Sequence, residues 1–458
     1  MTVRGRGEFG TFLASVGKLA AGRQLSAAAL MVAFLAFPNL APEATVEDVV
    51  WAYYAVLILS SLLLLGLDRI AATLVAERGD ANPVVALSPA LVLRTLSAIP
   101  VVPALWLLLV FVDVHLPPGA WWATVVWSIA VLVQLTLFGA LRSLGNAWAE
   151  PSVYLGARAV QAIALVVLPD ASSTVLVVVL AAVDVAGAVV AARALGWGWR
   201  SLSIRGWTAG VPWRRAVAYW GMDLNALFYL RASLLVVGRL LGARAGAIFG
   251  LLYRPLDGLL GVQNAASLWL FAETVRRRAL GEDTRSLRDR SLLLFPALAV
   301  MASLVMILAA GLVGEFVSFL RGGVDTLRLL LVTLPLVVVS VTELYVRSAL
   351  GRNRSVLAIG AITLTVNVLL NVWLVNTMGF DGAAWALLMS ELVQVALVVG
   401  LSTADERPLV ARQAAHALFW SSLLLLLTLS LIEDWPVVAA AAAVSVVVSV
   451  IAYFAKRS

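Results

Sequence analysis

Charged side chains stand inside several long apolar stretches of this sequence. The stretch from Tyr229 to Gly261 contains Arg231, Arg254 and Asp257 among residues that otherwise suit a membrane interior. An ionisable group in hydrocarbon is costly, so it usually faces the interior of a helix bundle. Guanidinium groups form fork-shaped hydrogen bonds with phosphate and carboxylate oxygens. The two arginines therefore predict a site for an anionic group.

Spacing places the two arginines at similar depth. Arg231 lies about 16 residues, or roughly 24 Å, from the start of its apolar run, and Arg254 lies about nine residues, or roughly 13 Å, from the opposite side. Arg254 and Asp257 are three residues apart and share a helix face. We expect Asp257 to orient Arg254 at an anion site. An internal ion pair that only fixes packing is an equally good interpretation.

Other ionisable residues offer further chemistry. Arg23, in the inner third of the first apolar run, either snorkels to lipid headgroups or faces a cavity; the polar residues beside it favour the cavity. Asp184 and Glu391 fall near mid-membrane and, with Asp223, are candidates for binding a proton or another coupling cation. A symmetric structural role for Asp184 and Glu391 is an equally good interpretation. Glu343 and Arg347, four residues apart, are expected to pair.

Metal and cofactor chemistry finds no support in the residue pattern. His115 and His416 are the only histidines, neither has a second ligand at metal-binding spacing, and the chain has no cysteine. No nucleophile-and-base arrangement and no phosphate-binding glycine loop is visible. We therefore predict no metal, no cofactor and no enzymatic activity.

Composition identifies the elements that must position these groups. Hydrophobic residues make up 62% of the 458 residues and charged residues 13%, against about 25% charged in globular chains. The mean hydropathy is +0.98. A chain with so little polar surface is an all-α integral membrane protein. The net charge of +7 then reflects basic loops at the membrane surface and not a nucleic-acid partner.

The apolar runs predict about fourteen transmembrane helices, since a span needs about 20 apolar residues. They lie at roughly 16–38, 48–75, 87–112, 120–143, 150–168, 172–194, 214–238, 245–272, 291–314, 327–350, 354–376, 381–402, 411–432 and 435–455. Most of the 33 Lys and Arg residues fall in alternate loops, including Arg94, Arg158 and Arg347, whereas PEATVED, DVHLPPG, LPDASS, NTMGFDG and IEDWP have none. Basic loops are cytoplasmic. We predict a multi-pass protein of the bacterial inner membrane with both termini in the cytoplasm.

The first two blocks of six spans resemble each other. LVAERGD ends the second span and LFAETVRRRALGED the eighth; an acidic residue interrupts the sixth span at Asp184 and the twelfth at Glu391. These matches share an offset near 200 residues. An even number of spans in each copy predicts a parallel repeat, as in transporters with a central site. The predicted domains are an N-lobe at 1–200, a C-lobe at 201–403 and two extra helices at 404–458.

The sequence resembles the polysaccharide branch of the multidrug/oligosaccharidyl-lipid/polysaccharide exporter superfamily. The resemblance rests on the arrangement of six, six and two spans, on LLVVGRLLGARAGAIFGLLYRPLDGLLGVQNAASLWLF at helices 7 and 8, on LNVWLVNTMGFDGAAWALLMSEL at the turn between helices 11 and 12, and on LLLLGLDRIAATLVAER at helix 2. The family often has a proline at the end of helix 8, where this chain reads Leu270-Phe271-Ala272-Glu273.

The resemblance implies a flippase that moves undecaprenyl-pyrophosphate-linked oligosaccharide across the membrane by alternating access. Its partners would be the lipid-linked glycan, membrane lipids and polysaccharide-assembly proteins, and Arg231, Arg254, Asp257 and Arg23 would bind the substrate. A cation-coupled exporter of small drugs is the alternative within the superfamily. A membrane-embedded glycan polymerase is a third reading, but such enzymes usually have a large outer loop, and every loop here is short.

Overall fold

The computed structural model describes residues 26, 28–63, 67, 91–92, 94, 96, 98–143, 149–196, 213–279, 281 and 284–432. All regular elements within these residues are helices. They are α1 (Ala28–Asn39), α2 (Glu43–Leu62), α3 (Val101–Phe111), α4 (Pro118–Ser143), α5 (Ala149–Val167), α6 (Ser173–Ala194), α7 (Trp213–Leu241), α8 (Ala243–Ala279), α9 (Arg285–Phe316), α10 (Val324–Val332 with Leu334–Ala349), α11 (Asn353–Met378), α12 (Phe380–Gly400) and α13 (Arg407–Ser430).

These helices coincide with the first thirteen predicted spans, and the all-α membrane fold is confirmed. Among the described residues, eight helices are long and apolar enough to cross a membrane, and the bent α10 makes a ninth. The fourteenth predicted span, both termini and the lobe boundary at 200/201 lie outside the described residues, so those predictions stand as they were made. Helix ends differ by a few residues: α2 begins at Glu43, where an acidic residue suits a helix N-terminus.

A proline bends the tenth helix. The two parts of α10 meet at Thr333 at an angle of 42°. Pro335 has no N–H, which leaves the carbonyl group of Leu331 without its usual helical donor. Ser303 on α9 supplies one instead, with its Oγ 2.8 Å from the Leu331 oxygen. The carbonyl group that the bend leaves without a helical donor is therefore satisfied by a neighbouring helix, which explains how the bend persists in an apolar setting.

The chain divides into two compact units, 1–227 with 242–247, and 228–241 with 248–458. In the first unit, α6 packs against α4, α5 and α2. In the second unit, α12 packs against α10 and α11 in the same way. The sixth helix of each block thus contacts the fourth and fifth helices of its own block, which is the packing that a parallel repeat predicts.

The surface of the second unit carries an apolar stripe that suits lipid. On α9 the stripe follows the helical period and all of its side chains are exposed: Leu294, Leu298, Met301, Val305, Leu308, Leu312 and Phe316. Polar side chains are instead buried, among them Glu343, Asn367, Asn371 and Glu391. An apolar exterior around a polar interior is the arrangement that a membrane helix bundle requires.

Candidate functional site

Asp184 on α6 lies at the centre of a buried polar cluster in the first unit. Its Oδ2 accepts hydrogen bonds from Trp127 Nε1 at 2.6 Å and from Gln161 Nε2 at 2.9 Å. Arg158 Nη1 forms a salt bridge with the same oxygen at 3.2 Å. The Arg158 guanidinium also lies over the ring of Tyr154, 5.7 Å from its centroid. The negative charge of Asp184 is therefore balanced inside its own unit.

A glycine brings a second buried polar side chain close to this cluster. Gly187 lies three residues after Asp184, so it shares the same face of α6. A Cβ at Gly187 would lie 2.4 Å from Gln134 Nε2, so a larger residue there would require the end of the Gln134 side chain on α4 to shift. Both polar atoms of the Gln134 side chain are buried and have no hydrogen-bond partner within the described part of the chain. The α4–α6 contact is thus unusually polar for a membrane core.

Glu391 on α12 is the repeat counterpart of Asp184, but its surroundings differ. Tyr229 Oη donates to Glu391 Oε1 at 2.7 Å, and Ser340 Oγ lies 3.0 Å from Oε2. Gln394 Nε2 donates to Ser340 Oγ at 2.9 Å, one turn along the same helix. Across the described residues, no basic side chain forms an ion pair with Glu391. Its contacts are hydroxyl groups on α7 and α10.

This difference decides what each carboxyl group can do. A hydroxyl group can donate to a carboxylate and can also accept from a carboxylic acid. The contacts of Glu391 are therefore compatible with both the neutral and the ionised side chain. A guanidinium group can only donate, and removing one partner from a buried ion pair leaves an uncompensated charge. Asp184 is consequently tied to Arg158 as one half of a buried ion pair.

The predicted anion site lies in the second unit. Arg231 Nη1 on α7 forms a salt bridge with Asp257 Oδ2 on α8 at 2.9 Å, and the two side chains remain 12% and 18% exposed. The Arg231 guanidinium lies 5.5 Å from the ring centroid of Tyr253. Arg254 is buried on the same turn of α8. Asp257 forms its salt bridge with Arg231, on the neighbouring helix. That Asp257 also orients Arg254 stays a prediction.

The side chains of two further candidate residues, Arg23 and Asp223, lie outside the described part of the structure. Arg23 lies outside the described residues. Asp223 lies within α7, but its side chain is among those whose placement is not described. Their predicted roles, cavity lining for Arg23 and ion coupling for Asp223, remain predictions.

The expected pairing of Glu343 with Arg347 is replaced by another arrangement. Arg288 of α9 donates to Glu343 through two nitrogens, at 2.8 and 2.5 Å. Arg347 donates instead to the end of α12, to the carbonyl groups of Val398 and Leu401 and to Ser402 Oγ. The last carbonyl groups of a helix lack intrahelical donors, and a cation there also complements the helix dipole. Arg347 therefore caps α12.

Sequence reasoning placed three arginines in loops, but the structure buries Arg94 and Arg347 and partly buries Arg158. Arg158 lies within α5 beside Asp184, Arg347 caps α12, and Arg94 donates to Leu63 O at 2.7 Å at the end of α2. A count of basic residues cannot separate a loop arginine from one just inside a helix, because the side chain reaches far along the bundle. Tyr229 and Trp127 were also missed, since neither residue type is unusual in a membrane helix.

The fold is similar to that of solved transporters. The chain aligns over 88% of its length with 98% of a eukaryotic MATE transporter, at a TM-score of 0.65 and 12% identity. It aligns over 88% of its length with 96% of an outward-facing multidrug resistance MATE family transporter of the MOP superfamily, at a TM-score of 0.62 and 16% identity. It aligns over 83% of its length with 93% of a MOP superfamily transporter from Pyrococcus furiosus that has a binding pocket of reversed polarity, at a TM-score of 0.58 and 16% identity. No protein-family model and no curated protein matches the sequence.

Identities this low show the fold alone. The fold is similar to that of solved transporters of the superfamily which the sequence resembles, and these neighbours are described as MATE or MOP transporters. The polysaccharide branch that we predicted is therefore not supported by the comparisons.

Proposed function

We propose that the chain is an alternating-access exporter of small organic molecules that is driven by a proton bound at Glu391. The observation that carries this proposal is the environment of Glu391: a fully buried carboxyl group held by Tyr229 and Ser340, with no basic partner among the described residues. The same fold in multidrug transporters supports the substrate class.

The chemistry of proton binding follows from these contacts. An ionised carboxylate away from water and without a counter-cation is strongly disfavoured. Glu391 therefore exchanges a proton when a conformational change lets water reach it. In the neutral state the carboxyl O–H donates to a hydroxyl oxygen, and in the ionised state both hydroxyl groups donate to the carboxylate. Gln394 keeps Ser340 oriented in either state.

The charge balance of the arginines favours an exporter over a pyrophosphate carrier. Arg231 is more accessible than Arg254, the other described arginine of the predicted anion site, yet its charge is neutralised by Asp257 and its guanidinium lies against Tyr253. A diphosphate group would have to displace a carboxylate from a short salt bridge. A neutral or cationic organic molecule makes no such demand, and aromatic rings provide contact surface for it.

Transport into proteoliposomes tests the proposal. Purified protein with an imposed pH gradient should move a fluorescent planar organic cation, and Glu391→Gln should reduce this movement to the level of protein-free liposomes. Exchange of labelled for unlabelled dye without a gradient should survive in Glu391→Gln, since the variant keeps the hydrogen-bonding shape. Glu315→Gln, which removes an exposed carboxyl group from α9, is the matched control.

Two results would overturn the proposal. A sodium gradient that drives transport where a pH gradient does not would remove the proton from the mechanism. Gradient-driven transport by Glu391→Gln at the wild-type rate would show that this carboxyl group is not the coupling site.

A lipid-linked oligosaccharide flippase is the second candidate. It is favoured by one observation: Arg231, Arg254 and Asp257 lie together on α7 and α8, and a guanidinium cluster suits a diphosphate. Arg231→Ala and Arg254→Ala should then abolish flipping of an undecaprenyl-pyrophosphate oligosaccharide in proteoliposomes, and lysine should rescue only partly because it lacks the fork. Normal flipping by both alanine variants would assign these arginines a structural role.

A further inference from the structure

Within the described part of the chain, Glu391 has two hydroxyl neighbours that differ in whether they can pass on a proton. Tyr229 Oη of α7 lies 2.7 Å from Glu391 Oε1, and Ser340 Oγ of α10 lies 3.0 Å from Oε2. A hydroxyl group can give one proton away and accept another, so both neighbours have the chemistry to reload the carboxyl group. The further contacts of each hydroxyl group decide whether its own proton is replaced.

Ser340 is closed to proton transfer by its other contacts. Its Oγ accepts from Gln394 Nε2 at 2.9 Å and also lies 3.1 Å from the carbonyl oxygen of Val337. An amide N–H donates a hydrogen bond but does not release its proton at physiological pH, and a carbonyl oxygen has no proton to give. Neither contact would replace a proton that Ser340 gave to Glu391. Ser340 therefore orients the carboxyl group.

Tyr229 leads toward a second tyrosine beside a partly exposed ion pair. The phenol groups of Tyr229 and Tyr253 on α8 are close enough to interact electrostatically. The Arg231 guanidinium lies 5.5 Å from the Tyr253 ring centroid and forms its salt bridge with Asp257 at 2.9 Å. The two charged side chains are 12% and 18% exposed, and all of these residues belong to the second unit. A chain of ionisable groups therefore runs from the ion pair to the buried Glu391.

The remaining titratable groups on the helices packed against α12 are engaged elsewhere or at least partly exposed. They are Glu343 with Arg288, Asp325 with Arg328, Arg347 at the end of α12, half-buried Tyr345, and exposed Arg354, Arg407, Arg412 and His416. Among the described groups, the hydroxyl group of Tyr229 is thus the contact of Glu391 that can both give a proton and regain one.

We propose that Tyr229 is the proton-transfer residue of Glu391, and that protons reach it from the Arg231–Asp257 pair by way of Tyr253. This inference rests on the proposed proton-driven function. Tyr229 gives its hydroxyl proton to Glu391 Oε1 and takes one from the Tyr253 side, so its O–H bond breaks and re-forms and it carries no net charge afterwards. Because Asp257 neutralises Arg231, the entrance does not repel a positive charge. Water that reaches this entrance is then enough for Glu391 to exchange its proton.

Infrared spectroscopy after a rapid change of pH tests the relay without a transport assay. The carbonyl band of protonated Glu391 is the band that Glu391→Gln lacks, and the rate at which it grows is the rate of proton uptake. Tyr229→Phe keeps the ring and should slow this uptake by about tenfold or more. Ser340→Ala removes one hydroxyl group from the same carboxyl group. Both variants should therefore alter the balance of neutral and ionised Glu391, but Ser340→Ala should slow proton uptake much less.

Two variants at the entrance test the route without touching Glu391. Tyr253→Phe should slow proton uptake but leave the pH at which Glu391 is half protonated unchanged, which a merely structural role would not produce. Asp257→Asn leaves Arg231 unneutralised and should also slow uptake, and adding Arg231→Gln should restore much of the rate. Tyr345→Phe, at a half-buried tyrosine of α10 outside the route, is the matched control and should change neither rate nor titration.

The outcomes separate the relay from the proposed function. Proton uptake at the wild-type rate in Tyr229→Phe, or equal slowing by Tyr229→Phe and Ser340→Ala, would overturn the relay, and an unchanged rate in Tyr253→Phe would overturn the entrance. If the rates respond as expected but no gradient drives transport, the relay stands and the exporter proposal fails. If a pH gradient drives transport through Glu391 while Tyr229→Phe takes up protons at the wild-type rate, the exporter stands and the relay fails.

Discussion

Asp184 and Glu391 take corresponding places on α6 and α12, roughly 200 residues apart in the sequence, but within the described part of the chain a guanidinium group lies against Asp184 alone. Arg158 Nη1 lies 3.2 Å from Asp184 Oδ2, whereas Glu391 contacts the hydroxyl groups of Tyr229 and Ser340. The repeat thus keeps the position of a carboxyl group but changes its partner. With the proposed function, this predicts that Asp184 stabilises its unit and that Glu391 couples transport to a proton.

A double-mutant cycle on Asp184 and Arg158 tests the structural half of this division. Arg158→Gln leaves a buried carboxylate without its counter-charge and should lower the free energy of unfolding by about 3–5 kcal/mol. Adding Asp184→Asn should recover much of that loss, because no charge then remains to be compensated. Denaturant unfolding in detergent micelles gives the values. Glu391→Gln, which alters only hydroxyl contacts, should cost about 1.5 kcal/mol or less; equal losses at both sites would contradict the division.

Glu406, in the turn before α13, predicts an acid-dependent stability. It accepts a hydrogen bond from Arg352 Nη1 at 2.6 Å and forms a salt bridge with Arg288 at 3.2 Å. Burial alone would raise the pKa of Glu406, but the hydrogen bonds from Arg352 and Thr403 and the nearby charge of Arg288 hold its pKa below the ordinary value. The stabilisation is therefore complete above the unfolded pKa, about 4.3, and is lost as the pH falls through the folded value.

Glu406→Gln measures that contribution. At pH 7 the variant should be less stable than the wild type by about 1 kcal/mol or less, because partly exposed ion pairs contribute little. The difference should shrink from about pH 4.3 downward as Glu406 takes up its proton. Asp405→Asn, one residue earlier and exposed, is the control and should show no such pH dependence. A stability difference that stays constant from pH 7 to acid would show that the charge of Glu406 is not involved.

The helices could be predicted from the sequence because each is a run of about 20 apolar residues, and that signal needs no knowledge of neighbours. The correspondence of Asp184 with Glu391 also followed from spacing alone. The partners of these groups did not. Arg158 approaches Asp184 from α5, and Tyr229 approaches Glu391 from α7, 162 residues away. Helical periodicity says which side chains share a face, but it does not say which helix that face meets.

The bend of α10 shows the same limit. Pro335 was visible in the sequence, and its missing N–H predicts a weakened helix. What keeps the bend in place is Ser303 on another helix, bonded to Leu331 O. Arg347 likewise pairs with Glu343 by spacing but caps α12 in the structure. Sequence spacing and residue type identified these residues, but their hydrogen-bond partners depend on tertiary packing.

The turn between α11 and α12 gives a prediction about packing. Gly379 has a φ of +62°, and a Cβ at Gly382 would lie 2.1 Å from the carbonyl oxygen of Leu374. Backbone cannot move aside as a flexible side chain can, so Gly382→Ala should lower the free energy of unfolding by about 2–3 kcal/mol. Gly400→Ala, at the other end of the same helix with no atom within 4 Å of its Cβ, should change it by less than about 1 kcal/mol. Equal effects in a thermal unfolding assay would show that the close approach is relaxed in the membrane.

Labelling of single cysteines decides the orientation of the chain and the status of α7. Asp170 lies in the exposed turn before α6, and Ser286 lies in the first turn of α9. Three helices separate them, of which α6 and α8 contain segments long and apolar enough to span. The 29 residues of α7 reach about 43 Å at 1.5 Å per residue, but they include Arg214, Arg215, Asp223, Arg231 and Arg239.

If α7 crosses the membrane, Asp170→Cys and Ser286→Cys lie on opposite sides. The basic residues around Ser286 then predict that a membrane-impermeant thiol reagent added outside labels Asp170→Cys and leaves Ser286→Cys unmodified until the membrane is opened. The parent chain has no cysteine and supplies the zero background. Labelling of both positions from outside would mean that α7 does not cross, and the positive-inside assignment would be wrong from α7 onward. Labelling as expected would also agree with the predicted spans, which put Glu43 on the same side as Asp170 because four of them, 48–75 to 150–168, lie between the two residues.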